Sequence, residues 1–516
     1  MKILAFFLSL TCITFSGIVS AIPPIPDIPP LPHHIISAND TYHLNNVLGS
    51  DDVITNDGSE ARPWATLRYA ASLLLPGDTL IMHGTGTAYD SQWTNLVRSG
   101  ADTQWITIEG RDGANGERAT IIGRLSFGDT NGNSVSNIYL NNIDFQGPGG
   151  SNINIVIYSN SHDLVFENIE IDCQSDVENE RAIWTNNNVD HLWFKDMHVH
   201  HCGYKRNVPF TNPVSTFPTD CGGICIKGDN IDEVVFQNVK ATQNVGDGLG
   251  GGSQIAYGNS YFKQCLSEDN TGDGYDIGGT RVVFIDNISK GNGGHQGTGI
   301  KVWSKESWLV NSVVYNNLHL GINVKPQHSG DNYTYILNST LVNNNIGTYG
   351  GQISTSERHP PNGNLFLYIH NNIFHSLNTG GITLNNINIQ HIQDESHNYY
   401  FSEYDSTLDP PHWTYRHAIH YRDGLWNVVD SYTFSEVANG GRWSIDTGLG
   451  AGNIGETNLM GKSDPGFIDL NLPDLHLSEG SLAIDAGVDV GIVSDIEGSP
   501  VPIGIAPDMG AYERAY

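Results

Sequence analysis

The sequence predicts an all-β right-handed parallel β-helix, a solenoid of short stacked strands. Three observations carry that prediction. Short runs of alternating apolar residues recur through the middle of the chain, such as "YLNNIDF" (139–145), "VFENIEI" (165–171) and "VFQNVKA" (235–241). Each carries a polar amide or acid near its centre. The runs repeat: with Asn238, Gln264, Asn287, Asn311 and Asn338 taken as equivalent, the spacings are 26, 23, 24 and 27 residues. A second register agrees, because Gly248, Gly274, Gly299, Gly321 and Gly347 are spaced 26, 25, 22 and 26. Third, the chain holds 58 Gly and only 16% charged residues, a composition of strands and tight turns. A propeller blade needs a period of roughly 40 or more, which these spacings exclude. In-register stacking also places like residues over one another, so the asparagines are expected to form an amide ladder.

The elements follow in chain order. Residues 1–21 read as a secretory signal peptide, with Lys2 ahead of an apolar run and the small residues Val19, Ser20 and Ala21 at the cleavage site. The apolar run is too short to span a bilayer. Residues 22–40 begin "IPPIPDIPPLPHH", a Pro-rich spacer of polyproline character. The stretch 63–86 is expected to open with a helix begun at Pro63 and closed before Pro76-Gly77. Such a helix would cap an otherwise open apolar end and its strand edges. The β-helix is expected over 41–390. Residues 391–516 are expected to be flanking loops and a closing segment packed on it. Five cysteines follow the signal, and a disulfide is expected among Cys173, Cys202, Cys221 and Cys225.

The formal charge is −31, from 25 Lys plus Arg against 56 Asp plus Glu. That balance argues against nucleic acid and membrane surfaces as partners. A secreted monomer is expected, able to hold divalent cations.

The candidate site comes from the repeat register. Coils stack at about 4.8 Å, so equivalent residues form columns. Aligning Gly248, Gly274 and Gly299 puts Asp247 with Asp273 in one column and Asp276 with Lys301 in another. Three carboxylates that close repel unless a cation sits among them. Oxygen ligands without His or Cys favour Ca2+ over zinc. Asp273 and Asp276 would point to opposite faces of a straight strand, so the chain must bend between them. A lysine beside a bound cation is expected to lose its proton more easily and to become a candidate general base. Arg281, Lys290, Lys305 and Lys325 are candidate contacts for an acidic substrate. The histidines of "MHVHHCG" (197–203) look metal-like, but no other partner spacing supports zinc, and they are read as solvated or loop-packing residues.

The set "GDGLGG", "GDGYDIGG" and "GTGIKVW" on this repeat resembles polysaccharide lyase family 9, the pectate-lyase-type β-helix enzymes. The resemblance implies Ca2+ held by Asp247, Asp273 and Asp276, with Lys301 as base. It implies β-elimination on a polysaccharide containing uronic acid, with pectate or polygalacturonate expected. Gly272 stands where that family often has a further Asp. The alternatives are a non-catalytic carbohydrate-binding or adhesion β-helix, a C5-epimerase, and a glycoside hydrolase. A hydrolase would need a carboxylate pair at a set separation, which the motifs do not supply.

Overall fold

A computed structural model describes residues 22–32, 39–90, 93–147, 153–173, 181–203, 221–250, 258–293, 297–326, 330–344, 351–355, 364–376, 382–385, 392–402, 419–422, 428–432, 459–461, 464–471 and 473–515. The expected signal peptide lies outside them, as do most of residues 403–458.

The strands pair in parallel over nearly the whole chain, each with the strand one coil earlier and one coil later. Three long parallel sheets result, the β-helix expected. The first sheet runs through Ile153–Ile157, Arg181–Thr185, Cys221–Cys225, Asp247–Gly250 and the start of Tyr275–Ile285. The second includes Ser136–Asn141, Asn259–Lys263 and Asn332–Leu337. The third includes Leu266–Glu268, Ile288–Lys290 and Val313–Tyr315. Long strands such as Asp232–Thr242 turn a corner and serve two sheets.

Alternation decides which side chains go inside. Phe166, Phe194, Phe236, Phe262 and Phe284 point inward and stack, with ring centroids 5.3, 5.1, 4.6 and 4.8 Å apart. These separations match the coil rise, so each ring seals the gap above its neighbour. Phe236→Ala leaves a hole in a fully buried column. We expect it to cost about 3–5 kcal/mol in denaturant melts. A cost under about 1 kcal/mol would show that the column collapses onto the gap.

A second seam holds the coils through polar groups. Asn244, Asn270, Asn292, Asn317 and Asn344 are buried, and each side-chain amide donates to the next at 3.0, 2.9, 3.1 and 2.9 Å. This is the amide ladder, but in a different column from the one the repeat suggested. The predicted column also slips by one residue. Asn238, Gln264, Asp286, Asn311 and Asn338 are the true equivalents, all at a left-handed turn with φ of 52, 55, 59, 49 and 45°. Asn287 lies one residue further on and points inward, accepting from the Cys265 N–H at 2.9 Å. In the glycine register, Ile322 pairs with Ile353, so Gln352 is the equivalent of Gly321. Gly347 lies outside the described residues.

Three further findings differ from the sequence reading. The helix at the start is short, Leu67–Ala71, capped by the Thr66 hydroxyl rather than begun at Pro63. Leu67, Ala70 and Ala71 are buried in the main core. The Pro-rich stretch is not a free spacer. Ile22, Ile25, Ile28 and Leu31 pack on an outer apolar stripe built by Trp105, Tyr139, Trp193, Tyr261, Trp308 and Tyr335. A polyproline helix has three residues per turn, which puts those four side chains on one edge. Finally, stacking continues past residue 390: Ile392–Ser396, Tyr399–Ser402, Ile419–Arg422 and Leu459–Gly461 each add a parallel strand.

Two disulfides form, Cys173–Cys202 and Cys221–Cys225, and Cys265 is a buried free thiol. No helix among the described residues is long and apolar enough to cross a membrane.

Candidate active site

Three consecutive coils of the first sheet bring the predicted acids together. Gly250 pairs with Asp276, and Asp276 pairs with Lys301. Asp247 opens its strand, and the Gly248 N–H donates to the Asp273 carbonyl at 3.0 Å, so Asp247 and Asp273 share a level. Asp276 lies within the strand Tyr275–Ile285, whereas Asp273 lies in the turn just before it. That turn is the bend both carboxylates need to face one point.

One carboxylate oxygen from each of Asp247, Asp273 and Asp276 lies within 4.8 Å of the others. All three residues are buried, at 7, 6 and 4% exposure. Asp247 Oδ1 accepts the Asp273 N–H at 2.8 Å, and Asp273 Oδ1 accepts the Thr298 N–H at 2.6 Å. Lys301 Nζ bridges Asp273 Oδ2 at 2.8 Å and Asp276 Oδ2 at 2.7 Å. Trp303 Nε1–H donates to Asp276 Oδ1 at 2.8 Å. Trp303 is the residue the sequence reading overlooked. It stands two past Lys301 in "GTGIKVW", so strand alternation puts both on one face.

The charges do not balance. Three buried carboxylates face one ammonium, and an uncompensated buried charge is costly. Burial, then the Asp273 and Asp276 charges, push the Asp247 carboxyl well above its ordinary value. Burial likewise raises Asp273, against the pull of Lys301. Burial lowers Lys301, but Asp276, Asp273 and Asp247 together outweigh it, and the net direction is upward. The lysine expected to lose its proton easily is thus a tethered ammonium while the carboxylates are bare. The reason is that its ion pairs face it directly.

The residues fit a divalent cation. Two missing positive charges, hard oxygen donors and close-packed glycine backbone are what such an ion needs. Gly272 also finds its explanation. A Cβ there would stand 2.5 Å from Asp247 Oδ1 and 2.5 Å from the Gly246 carbonyl carbon. An Asp at 272 cannot enter without displacing Asp247. Asp269 is not among the carboxylates that converge.

Of the candidate substrate cations, one is brought near. Lys325 Nζ lies 3.9 Å over the Trp303 ring, and Lys301 Nζ 5.1 Å over it. Arg281 is paired with Glu306 at 2.9 Å on the second sheet, and Lys290 with Glu268 at 2.7 Å on the third. Lys305 is exposed where its strand passes from the first sheet to the second.

The raised carboxyls give a pH signature. Without a cation, the folded protein keeps protons that the unfolded chain releases above the ordinary value of 3.8. Stability therefore falls as pH rises from there toward the higher folded values. A bound cation competes with those protons, so its stabilisation grows with pH. We expect Ca2+ at one hundred times its Kd to add about 2.7 kcal/mol near neutrality, with less at mildly acidic pH. Calorimetry checks this, and Asp247→Asn should flatten the difference.

No family model and no curated protein matches this chain. Solved structures do. The crystal structure of pectate lyase Pel9A is 17% identical, with 93% of this chain and 97% of that one covered, at a TM-score of 0.40. A rhamnogalacturonan lyase is 16% identical over 70% of this chain and 87% of that one, at a TM-score of 0.43. The GH136 lacto-N-biosidase from Eubacterium ramulus is 14% identical over 66% and 64%, at a TM-score of 0.38. These neighbours include polysaccharide lyases and a glycoside hydrolase alike, and the functional reading below rests on the site.

Proposed function

We propose that this protein is a secreted, Ca2+-dependent polysaccharide lyase of the family 9 type, acting on a polymer containing uronic acid, with polygalacturonate as the expected substrate. The observation that supports the reading is one lysine held against three buried carboxylates on consecutive coils. Asp247, Asp273 and Asp276 would hold the cation. When bound, it supplies a positive charge that neutralises the substrate carboxylate and acidifies the adjacent carbon-bound proton.

The chain's own residues do the rest. With the charge of Asp247, Asp273 and Asp276 compensated by the cation, the attraction that keeps Lys301 protonated is weakened. Burial, which lowers its pKa, then weighs more. Lys301 is placed to take the proton from the carbon next to the carboxylate. The bond to the leaving oxygen on the neighbouring carbon then breaks, its electron pair leaves with that oxygen, which takes a proton from solvent, and the double bond forms without hydrolysis. Trp303 fixes Asp276 through its indole N–H and offers a ring face for sugar stacking. Lys325, above that ring, is a cation for a second uronate.

The test is the ultraviolet absorbance of the unsaturated product from a panel of uronans, with and without EDTA. Product from polygalacturonate that disappears with EDTA supports the proposal. Reducing ends without unsaturation would indicate a hydrolase, and epimerised polymer of unchanged length an epimerase. No change in any uronan would leave a binding protein as the better reading.

A further inference from the structure

A second cluster lies on the third sheet, away from the aspartates. Asp172 ends the strand His162–Asp172, and His200 ends Asp190–His200; the two are register partners. His201 follows at a left-handed turn with φ of 58°. Three donor atoms converge there. His200 Nδ1 is 2.8 Å from His201 Nδ1, His201 Nδ1 is 3.2 Å from Asp172 Oδ1, and His200 Nδ1 is 3.6 Å from Asp172 Oδ1. Metal bonds of about 2.0–2.1 Å in a tetrahedron give edges of about 3.3 Å, the middle of that range.

The outer contacts of the two rings decide what the inner atoms carry. His200 Nε2 faces Glu170 Oε1 at 3.0 Å, and His201 Nε2 faces Gln243 Oε1 at 2.9 Å. A carboxylate and an amide oxygen only accept, so each Nε2 is placed to carry its ring's proton outward. A neutral imidazole has one proton. In that tautomer both Nδ1 lone pairs face inward, toward each other and toward a carboxylate, which is the form a metal ion between them would select. His200 is also 92% buried, being 8% exposed. Inward lone pairs with outer N–H groups held by acceptors are the arrangement of a metal-binding histidine pair.

Covalent structure holds the ligands in place. Cys173 follows Asp172, Cys202 follows His201, and the two cysteines are joined. The disulfide ties together the two coils that supply the three donors.

We propose that Asp172, His200 and His201 form a transition-metal site that takes Zn2+, with Glu170 and Gln243 orienting the imidazoles. Imidazole nitrogen selects Zn2+ over Ca2+, so this site and the aspartate site differ in ligand class. His201, with a side-chain exposure of 42%, leaves the fourth position on the solvent side. In the alternative grouping of Glu170, His198 and His200, His198 Nε2 is engaged by Thr242 at 2.9 Å.

The test is a Zn2+ titration of the full-length, chelator-stripped protein by calorimetry, in saturating Ca2+ near neutral pH. One equivalent should bind. His201→Ala should weaken it at least about 100-fold, and Gln243→Leu by about 10–100-fold, the scale for an orienting partner. His198→Ala and Asp273→Ala should leave it within a few fold. Co2+ should give the visible bands of a tetrahedral site in the wild type and lose them in His201→Ala. Since His201 is partly exposed, folding of that variant is checked by its melting curve, and Asp172→Asn gives an independent loss of binding. No Zn2+ uptake by the wild type would overturn the proposal, leaving a shared proton to hold the cluster. Undiminished uptake by both His201→Ala and Asp172→Asn would overturn it equally.

Discussion

Lys301→Ala should reduce uronan cleavage by roughly two to four orders of magnitude, the usual contribution of a positioned base. Added Ca2+ should not restore it, because in the proposed mechanism the missing group is the proton acceptor. Lys301→Arg should be as inactive, since a guanidinium does not give up its proton in a protein. The stability effect separates the charge role from the chemical one. In the cation-free protein, Lys301 is the ammonium bonded to Asp273 and Asp276. Removing one partner of a buried ion pair costs about 3–5 kcal/mol. The raised pKa of Lys301 means this stabilisation is fully present below the ordinary lysine value of 10.5 and is lost only as pH rises through the higher folded value. With Ca2+ bound, the carboxylates have another partner and the loss should shrink. An active Lys301→Ala protein would reject the base assignment while leaving the cation site standing.

Asp273→Ala should act through the cation instead. Its side chain touches Lys301 Nζ and the Thr298 N–H, and its own backbone N–H anchors Asp247. Removing it takes one of three charges from the site. Ligand charge count tunes calcium affinity over decades, so the Ca2+ needed for half-maximal rate should rise by roughly two orders of magnitude. Activity should return in part at high Ca2+, which sets this variant apart from Lys301→Ala. A Ca2+ dependence identical to the wild type would show that the ion, if used, sits elsewhere.

The convergence of the three acids and the lysine was legible because it is a property of the repeat. Asp247, Asp273, Asp276 and Lys301 are far apart in sequence, yet a shared period and parallel stacking place them within one patch. The same register, applied to amides, chose the wrong column. Asn287 resembles Asn238 in its surroundings, but a two-residue alternation turns a one-residue error into the opposite face. Trp303 is placed on the Lys301 face by the same alternation, but an indole is not a metal ligand and carries no signal in a pattern of acids. The pKa of Lys301 depends on which groups are charged beside it, and proximity to a cation cannot be separated from proximity to bare carboxylates without their geometry.

The coil period, the strand-and-turn composition and the alignment of acids with lysine were determined by the sequence alone. They are local patterns repeated at a constant interval, and in-register stacking converts an interval into a contact. Other features were decided only by the tertiary structure. The Pro-rich stretch covers an outer aromatic stripe, Asp172 meets His200 and His201 through a disulfide-tied corner, and Gly272 is held glycine by the carboxylate of Asp247. Each of these joins a segment to a surface that the repeat does not encode, where burial and close approach, rather than period, choose the partner.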